Sequence, residues 1–247
     1  MSSGGRLALL STLDAPLLGY LMRDLTAEGV SISAVIFDQK GQAARDHRIH
    51  DERTAGRLPA LPLEEFESLR IPFYFVADHR SPATADLVRS LSLDLLLNAG
   101  TPRILSVELL RAPSIGVLNC HPGLLPRFRG CTCVEWAIYL DEQVGNTVHF
   151  MNERIDEGPI LLQEGLRFGR EDAYVDVRVK VYEHGNRLLA RAARKVLTES
   201  IVPGRLEPQV DGRYFEVIDD GKMKNVVDKL ARGEYAFQRE LDGRRVK

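Results

Sequence analysis

Apolar positions along the chain alternate between short continuous runs and helical spacing. Residues 6–10 and 32–37 read as buried strands, with unbroken apolar runs at 7–10 and 34–37. Between them, 16–28 sets Leu17, Leu18, Leu21, Met22 and Leu25 on one helical face, and Gly29 closes the helix. That is a β-α-β unit. A polar segment follows over 38–57, rich in His, Arg and Asp. The alternation then resumes: a strand over 72–76, a helix over 83–91 with Leu87, Val88 and Leu91 on one side, and a strand over 93–99. A short helix over 104–110, a strand over 116–120 and a helix over 131–140 come next, the last burying Val134, Ala137, Ile138 and Trp136.

Repeated β-α units predict an α/β, Rossmann-like, doubly wound and mostly parallel sheet. The second half is mixed. Strands are predicted over 147–151, 159–162 and 166–168. One long helix over 173–197 presents Val177, Val181, Leu188, Leu189, Ala192 and Val196 on its apolar face. Beyond Pro203-Gly204 the composition turns polar, with a turn at Asp211-Gly212, a small strand over 214–218 and a charged helix over 222–232. The expected division is therefore a catalytic domain over 1–202 and a small C-terminal appendage over 203–247.

A chain of 247 residues that is 44% hydrophobic and 28% charged can bury a full core. Its net charge of -2 lacks the basic excess of a nucleic-acid binder, so a small-molecule substrate is the expected partner. No apolar stretch approaches the roughly 18 residues of a membrane span, and Met1-Ser-Ser-Gly-Gly-Arg lacks the apolar core of a signal peptide. The expected location is cytoplasmic. Cys120, Cys131 and Cys133 are an odd number for a disulfide framework and are expected as thiols; Cys-x-Cys is poor zinc spacing, so no metal is expected.

Candidate chemistry concentrates in Asn119-Cys120-His121-Pro122-Gly123-Leu124-Leu125-Pro126 and, downstream, Asp156-Glu157-Gly158-Pro159. Asn119 and His121, two apart at the end of a strand, share one face, and the two prolines keep the following loop from continuing the strand. Open α/β sheets bind ligands at such strand ends. An amide can donate to a developing oxyanion, an imidazole can move a proton, and a carboxylate can tune the imidazole. No serine or cysteine nucleophile stands at a recognisable elbow, which favours direct transfer between two bound substrates. Taken alone, these residues are also compatible with ordinary loop hydrogen bonds. His149 reads as a strand histidine making an ordinary hydrogen bond. The cluster Asp46-His47-Arg48-Ile49-His50-Asp51 fits either a solvated loop or part of a substrate pocket.

Residues 93–162 resemble the folate-dependent formyltransferase family. Ala99-Gly100-Thr101-Pro102-Arg103-Ile104-Leu105 is similar to its Ala-Gly-x-x-Arg-Ile-Leu folate loop, and 119–126 to its Asn-x-His-Pro-Ser-Leu-Leu-Pro signature. Arg129-Gly130, Thr147-Val148-His149-Phe150-Met151 and Asp156-Glu157-Gly158-Pro159-Ile160 follow in family order. The resemblance implies attack by a primary amine on N10-formyltetrahydrofolate, with Asn119 and a protonated His121 stabilising the oxyanion and Asp156 favouring the imidazolium. It implies that Leu97, Ala99, Gly100, Arg103, Ile104, Leu105, Met151 and Ile155 line the folate slot. Gly123 departs from the family's serine.

The amino terminus lacks the Gly-rich phosphate loop of glycinamide ribonucleotide transformylases, and the 203–247 segment is shorter than the basic C-terminal domain of methionyl-tRNA formyltransferases. The resemblance is therefore closest in build to sugar-nucleotide N-formyltransferases, with a GDP-perosamine-type amino sugar, as used for lipopolysaccharide O-antigen, as the expected acceptor. Glycinamide ribonucleotide formylation, hydrolysis of formyltetrahydrofolate and a non-catalytic folate- or nucleotide-binding regulator stay as alternatives. A homodimer is left open.

Overall fold

The computed structural model describes residues 5–199 and 201–239. The stretch read for a signal peptide lies mostly outside them, as does the end of the 203–247 segment. In chain order the elements are β1 (Leu7–Ser11), α1 (Leu18–Ala27), β2 (Ile32–Asp38), α2 (Ala44–Thr54), β3 (Phe73–Val76), α3 (Pro82–Ser90), β4 (Leu95–Asn98), α4 (Val107–Leu110) and β5 (Gly116–His121). They continue with β6 (Arg129–Gly130), α5 (Cys133–Tyr139), β7 (Gly145–Phe150), β8 (Ile160–Gly165), β9 (Phe168–Gly169), α6 (Tyr174–Thr198), β10 (Tyr214–Phe215), α7 (Asp220–Ala231) and β11 (Gln238–Arg239).

Seven strands form one sheet in the order β3-β2-β1-β4-β5-β7-β8. The first five are parallel, while β7 runs antiparallel to both β5 and β8. This is the mostly parallel, helix-flanked sheet expected from the β-α alternation. Strands β1, β4 and most of β2 are buried on both faces, which explains their unbroken apolar composition. From β1 the chain winds outward through β2 to β3, then returns to lay β4 on the other side of β1. The winding reverses between β1 and β4, and a crevice opens there at the strands' carboxyl ends.

The long helix α6 crosses one face of the sheet with the predicted stripe of Val177, Val181, Leu188, Leu189, Ala192 and Val196 inward. Part of that stripe joins α1, β1, β2, β4 and β5 in the main core. Its other end joins a second apolar cluster with Phe128, Val134 and Ile138, to which the C-terminal segment adds Phe215, Ile218, Val226, Leu230 and Tyr235.

Some elements differ from the apolar reading. The polar 38–57 segment contains helix α2, whose only strongly apolar residue is Ile49; it buries His50 and Thr54 instead. The helix expected over 104–110 is a single turn, because the preceding loop is shaped by hydrogen bonds to Asn98. The strand expected over 214–218 has two residues. Trp136 is only half-buried, and its neighbour Glu135 takes the fully buried place. All three cysteines are free, and no helix among the described residues is long and apolar enough to cross a membrane.

Candidate active site

Strand β5 ends at the crevice, and its two-residue period puts Asn119 and His121 on one side. Antiparallel pairing sets Asn119 opposite His149 of β7. The Asn119 Oδ1 accepts from Asn98 Nδ2 at 2.9 Å, and Asn119 Nδ2 lies 3.2 Å from His149 Nε2. His149 Nδ1 lies 3.0 Å from the Phe150 carbonyl. A carbonyl can only accept, so His149 carries its proton on Nδ1 and accepts from Asn119 through Nε2. Burial pushes the His149 pKa down to about 4, with His121 adding to the effect and Asp156 opposing it, so the ring stays neutral and keeps its acceptor. One hydrogen of the Asn119 amide is left without a partner among the described residues.

His121 is oriented from behind. Its Nε2 donates to the Phe128 carbonyl at 2.8 Å, which aims Nδ1 at Asp156 Oδ2, 3.4 Å away. Asp156 also faces His149, at 3.8 Å, so the carboxylate stands between the two imidazoles. The peptide N–H of Gly130 donates to the same Asp156 Oδ2 at 3.0 Å. Both ring nitrogens of His121 thus face acceptors, the arrangement that suits an imidazolium, and burial opposes that charge. Burial pushes its pKa below the ordinary value; attraction to Asp156 and the Phe128 carbonyl only partly offsets that. Gly123 belongs to the same arrangement, because an added Cβ there would lie 2.8 Å from His121 Nε2 and 2.9 Å from the Phe128 oxygen.

Asn119 lines a cavity of about 300 Å³ at the β1/β4 reversal, while His121 and Asp156 stand behind that wall. The cavity's polar lining is almost entirely amide: Gln42, Asn98, Asn119, Asn146 and Asn186, with Tyr182 and the apolar start of α1 completing it. None of its lining residues is charged.

The residues expected at the folate slot are distributed unevenly. Ala99 and Gly100 line the cavity. Leu97 and Leu105 are buried in apolar clusters on opposite faces of the sheet, so only their backbones can meet a ligand. Ile104 and Ile155 are exposed apolar side chains, and Met151 is half-buried against the β1/β4 cluster. Arg103 is committed elsewhere: its Nε and Nη2 bond the buried Asp38 carboxylate at 2.9 and 3.1 Å, and its Nη1 lies 3.2 Å from Asp78.

Three residues that support this geometry were not singled out by sequence. Asn98 accepts from Gly100 N and Thr101 N through Oδ1 while donating to Asn119, so one side chain both shapes the loop and holds the amide; an asparagine at a strand end before Ala-Gly is a recognisable turn signal. Gln42 donates to the Gly100 carbonyl at 2.5 Å and to Thr12 Oγ1 at 3.2 Å, bringing the polar segment to the cavity. Asp14 ties His47 of α2 to the β1–α1 loop at 2.9 Å. Within the Asp46–Asp51 cluster, His50 turns inward to the Leu58 carbonyl.

Comparison with known proteins accords with this picture. The family profile described as formyl transferase matches residues 15–193. Over 194 residues, 77% of its length, the chain is 34% identical to a methionyl-tRNA formyltransferase of Acidiphilium cryptum (strain JF-5), of which it covers 59%. It is 35% identical over 167 residues, 67% of the chain, to the methionyl-tRNA formyltransferase of Anaeromyxobacter dehalogenans (strain 2CP-1 / ATCC BAA-258), covering 49% of that protein. The chain thus spans about half the length of these relatives. Among solved structures, glycinamide ribonucleotide transformylase 1 from Symbiobacterium toebii superposes with a TM-score of 0.64 at 23% identity, over 85% of this chain and 96% of that one. A sugar N-formyltransferase from Shewanella sp FDAARGOS_354 gives 0.57 at 20% identity, over 87% and 78%. At these identities the structural likeness speaks for the fold alone.

Proposed function

The chain belongs to the formyl transferase family, and from that premise we propose that it moves the formyl group of N10-formyltetrahydrofolate to a primary amine on a nucleotide-linked amino sugar. The observation that carries the transfer chemistry is Asn119, a cavity-lining amide with its oxygen and one hydrogen engaged and its second N–H free. The amine nitrogen bonds to the formyl carbon and the carbonyl oxygen takes up negative charge. The free N–H of Asn119 donates to it, an interaction that strengthens as the charge develops. Collapse breaks the bond to N10; the amine loses a proton and N10 gains one. The His121–Asp156 pair takes up the proton that the amine loses and releases it to N10, with Asp156 at 3.4 Å from Nδ1 stabilising the imidazolium.

The acceptor class rests on the cavity lining. Amides both donate and accept, which suits a polyhydroxylated ring. A volume of about 300 Å³ stands at the small end of ligand pockets. That space suits the sugar and its amine, with the nucleotide outside it. The Ile104 and Ile155 loops supply apolar surface for the pterin on this reading.

A second reading has its own support: the relatives of highest identity named above are methionyl-tRNA formyltransferases. The deciding experiment incubates the protein with N10-formyltetrahydrofolate and, separately, GDP- and dTDP-linked amino sugars, aminoacylated initiator tRNA and glycinamide ribonucleotide, with mass spectrometry of the products. Formylated amino sugar is the expected result. Formylation of the tRNA alone or of glycinamide ribonucleotide alone overturns the sugar assignment. Formate release without an amine makes the protein a hydrolase, and folate binding with no turnover makes it a regulator.

A further inference from the structure

Asp156 reaches His121 from a backbone in the left-handed region, with φ at 57°, a conformation that residues bearing a Cβ disfavour. The groups that hold it there come from the C-terminal segment. Gln209 Nε2 donates to the Asp156 carbonyl at 3.0 Å and to the Gly158 carbonyl at 2.6 Å, so one side-chain amide bridges both ends of the turn. Gln209 is itself aimed: its Oε1 accepts from Arg129 Nη2 at 3.0 Å, and the same nitrogen donates to the Val210 carbonyl at 3.0 Å. Arg129 Nη1 also faces the Glu157 carboxylate at 3.7 Å, within the Asp156 turn.

The platform beneath Gln209 is tight. Gly212 lies so close to Pro126 that an added Cβ would fall 1.9 Å from the Pro126 oxygen. Arg129 N donates to the Arg213 carbonyl and Cys131 N to the Phe215 carbonyl, flanking the β6–β10 pairing. That pairing includes Gly130, whose N–H holds the Asp156 carboxylate. The C-terminal segment therefore reaches Asp156 twice, through its carbonyl and through its carboxylate.

We propose that Gln209 is a positioning residue for formyl transfer, setting the Asp156 carboxylate against His121 by clamping the turn from Asp156 to Gly158. The proposal rests on His121 and Asp156 being the proton-handling pair. The titratable and charged groups around that pair are His149 from β7, Cys131 and Cys133 at the start of α5, Arg129 from β6, Glu157 in the turn and Tyr214 from β10.

The test is a titration of isotope-labelled histidine rings by NMR in the full chain, with His121→Asn identifying the resonance, alongside steady-state kinetics. Gln209→Met keeps the side chain's length and removes the donor. Its His121 ring should titrate at lower pH than in the parent protein, because the carboxylate that favours its charged form has moved away. Its kcat should fall about 100-fold, as for a misplacement of about 1 Å, with KM for folate little changed. Arg129→Lys, which removes the fork that aims Gln209, should show the same two changes to a smaller degree and carries the test if Gln209→Met does not fold.

A folded variant with an unmoved His121 titration, or with parental kcat, overturns the proposal. A shifted titration in Gln209→Met, where the parent protein itself transfers no formyl group, would support the clamp while removing the proposed activity.

Discussion

Two Asp–His pairs lie at the carboxyl ends of this sheet, and they differ in how completely they are hydrogen-bonded. At the end of β2, the Asp38 carboxylate receives Arg103 through two nitrogens and the backbone N–H groups of His79 and Lys40 at 2.8 Å each. Both His79 ring nitrogens are also engaged, Nδ1 with Thr101 Oγ1 at 2.6 Å and Nε2 with the Ile36 carbonyl at 3.0 Å. Burial raises the Asp38 pKa, but Arg103 and the two amides outweigh it and leave the carboxyl below its usual range. At the end of β5, the Asp156 carboxylate accepts from the Gly130 N–H and, among the described residues, otherwise faces two imidazoles at 3.4 and 3.8 Å. Both pairs are buried. A saturated network makes a rigid support for the loop above it, whereas an incompletely bonded one retains capacity for a proton.

The contrast predicts opposite consequences of mutation. On the proposed mechanism His121→Ala should lower turnover by about 10²- to 10⁴-fold, with a smaller loss of stability because the Phe128 carbonyl loses its donor. Paired activity and melting measurements check this. Arg103→Ala should instead lower the urea midpoint clearly, because the Asp38 carboxylate is left without its cation. A stable Arg103→Ala protein with collapsed turnover would reverse the assignment of the two pairs.

A pH series sharpens the comparison. Burial lowers the pKa of His79, His121 and His149 in the folded chain, the last from 6.5 to about 4. As pH falls below 6.5, the unfolded chain binds these protons first, so their stabilisation is complete above that pH and is lost toward the folded values. Unfolding free energy should therefore decline between about pH 6.5 and 4, by at most about 1.4 kcal/mol per pH unit for each ring. The contribution of Asp38, whose folded pKa is depressed, is lost only at lower pH, as the pH drops below its ordinary 3.8. His149→Gln should flatten the first window; an unchanged slope would show that His149 is charged in the fold.

Sequence patterning made the sheet legible because β1, β2, β4 and β5 are apolar runs and α1 and α6 carry apolar stripes. It placed Asn119 and His121 on one face and named Asp156 as their carboxylate, and the family resemblance supplied the roles expected of the three. What it lacked was burial by distant segments. The His121 charge depends on enclosure by the 122–130 loop and α5, and no local spacing reports that. Helix α2 escaped because polar contacts hold it: Arg53 faces the buried Glu135 at 3.6 Å, and His50 packs on Tyr182. Asp38, His79 and Arg103 are widely separated in sequence, and each alone reads as a surface residue. Gln209 stands 53 residues beyond Asp156 in a stretch whose polarity signals a loop, so its two bonds to the Asp156 turn exist only in the folded chain.

The smallest expected effect isolates the saturated pair most cleanly. The Ile36 carbonyl can only accept, so His79 carries its proton on Nε2 and the bare Nδ1 accepts from the Thr101 hydroxyl. Thr101→Val keeps the branched shape and removes that donor, leaving a buried ring nitrogen unsatisfied. Stability should fall by about 1–3 kcal/mol in urea unfolding. Turnover should change little, because Asn98 still holds the loop through Gly100 N and Thr101 N and still donates to Asn119. If Thr101→Val keeps its stability and loses turnover as deeply as His121→Ala, then the pair at β2 takes part in the reaction and hydrogen-bond saturation does not separate support from chemistry in this sheet.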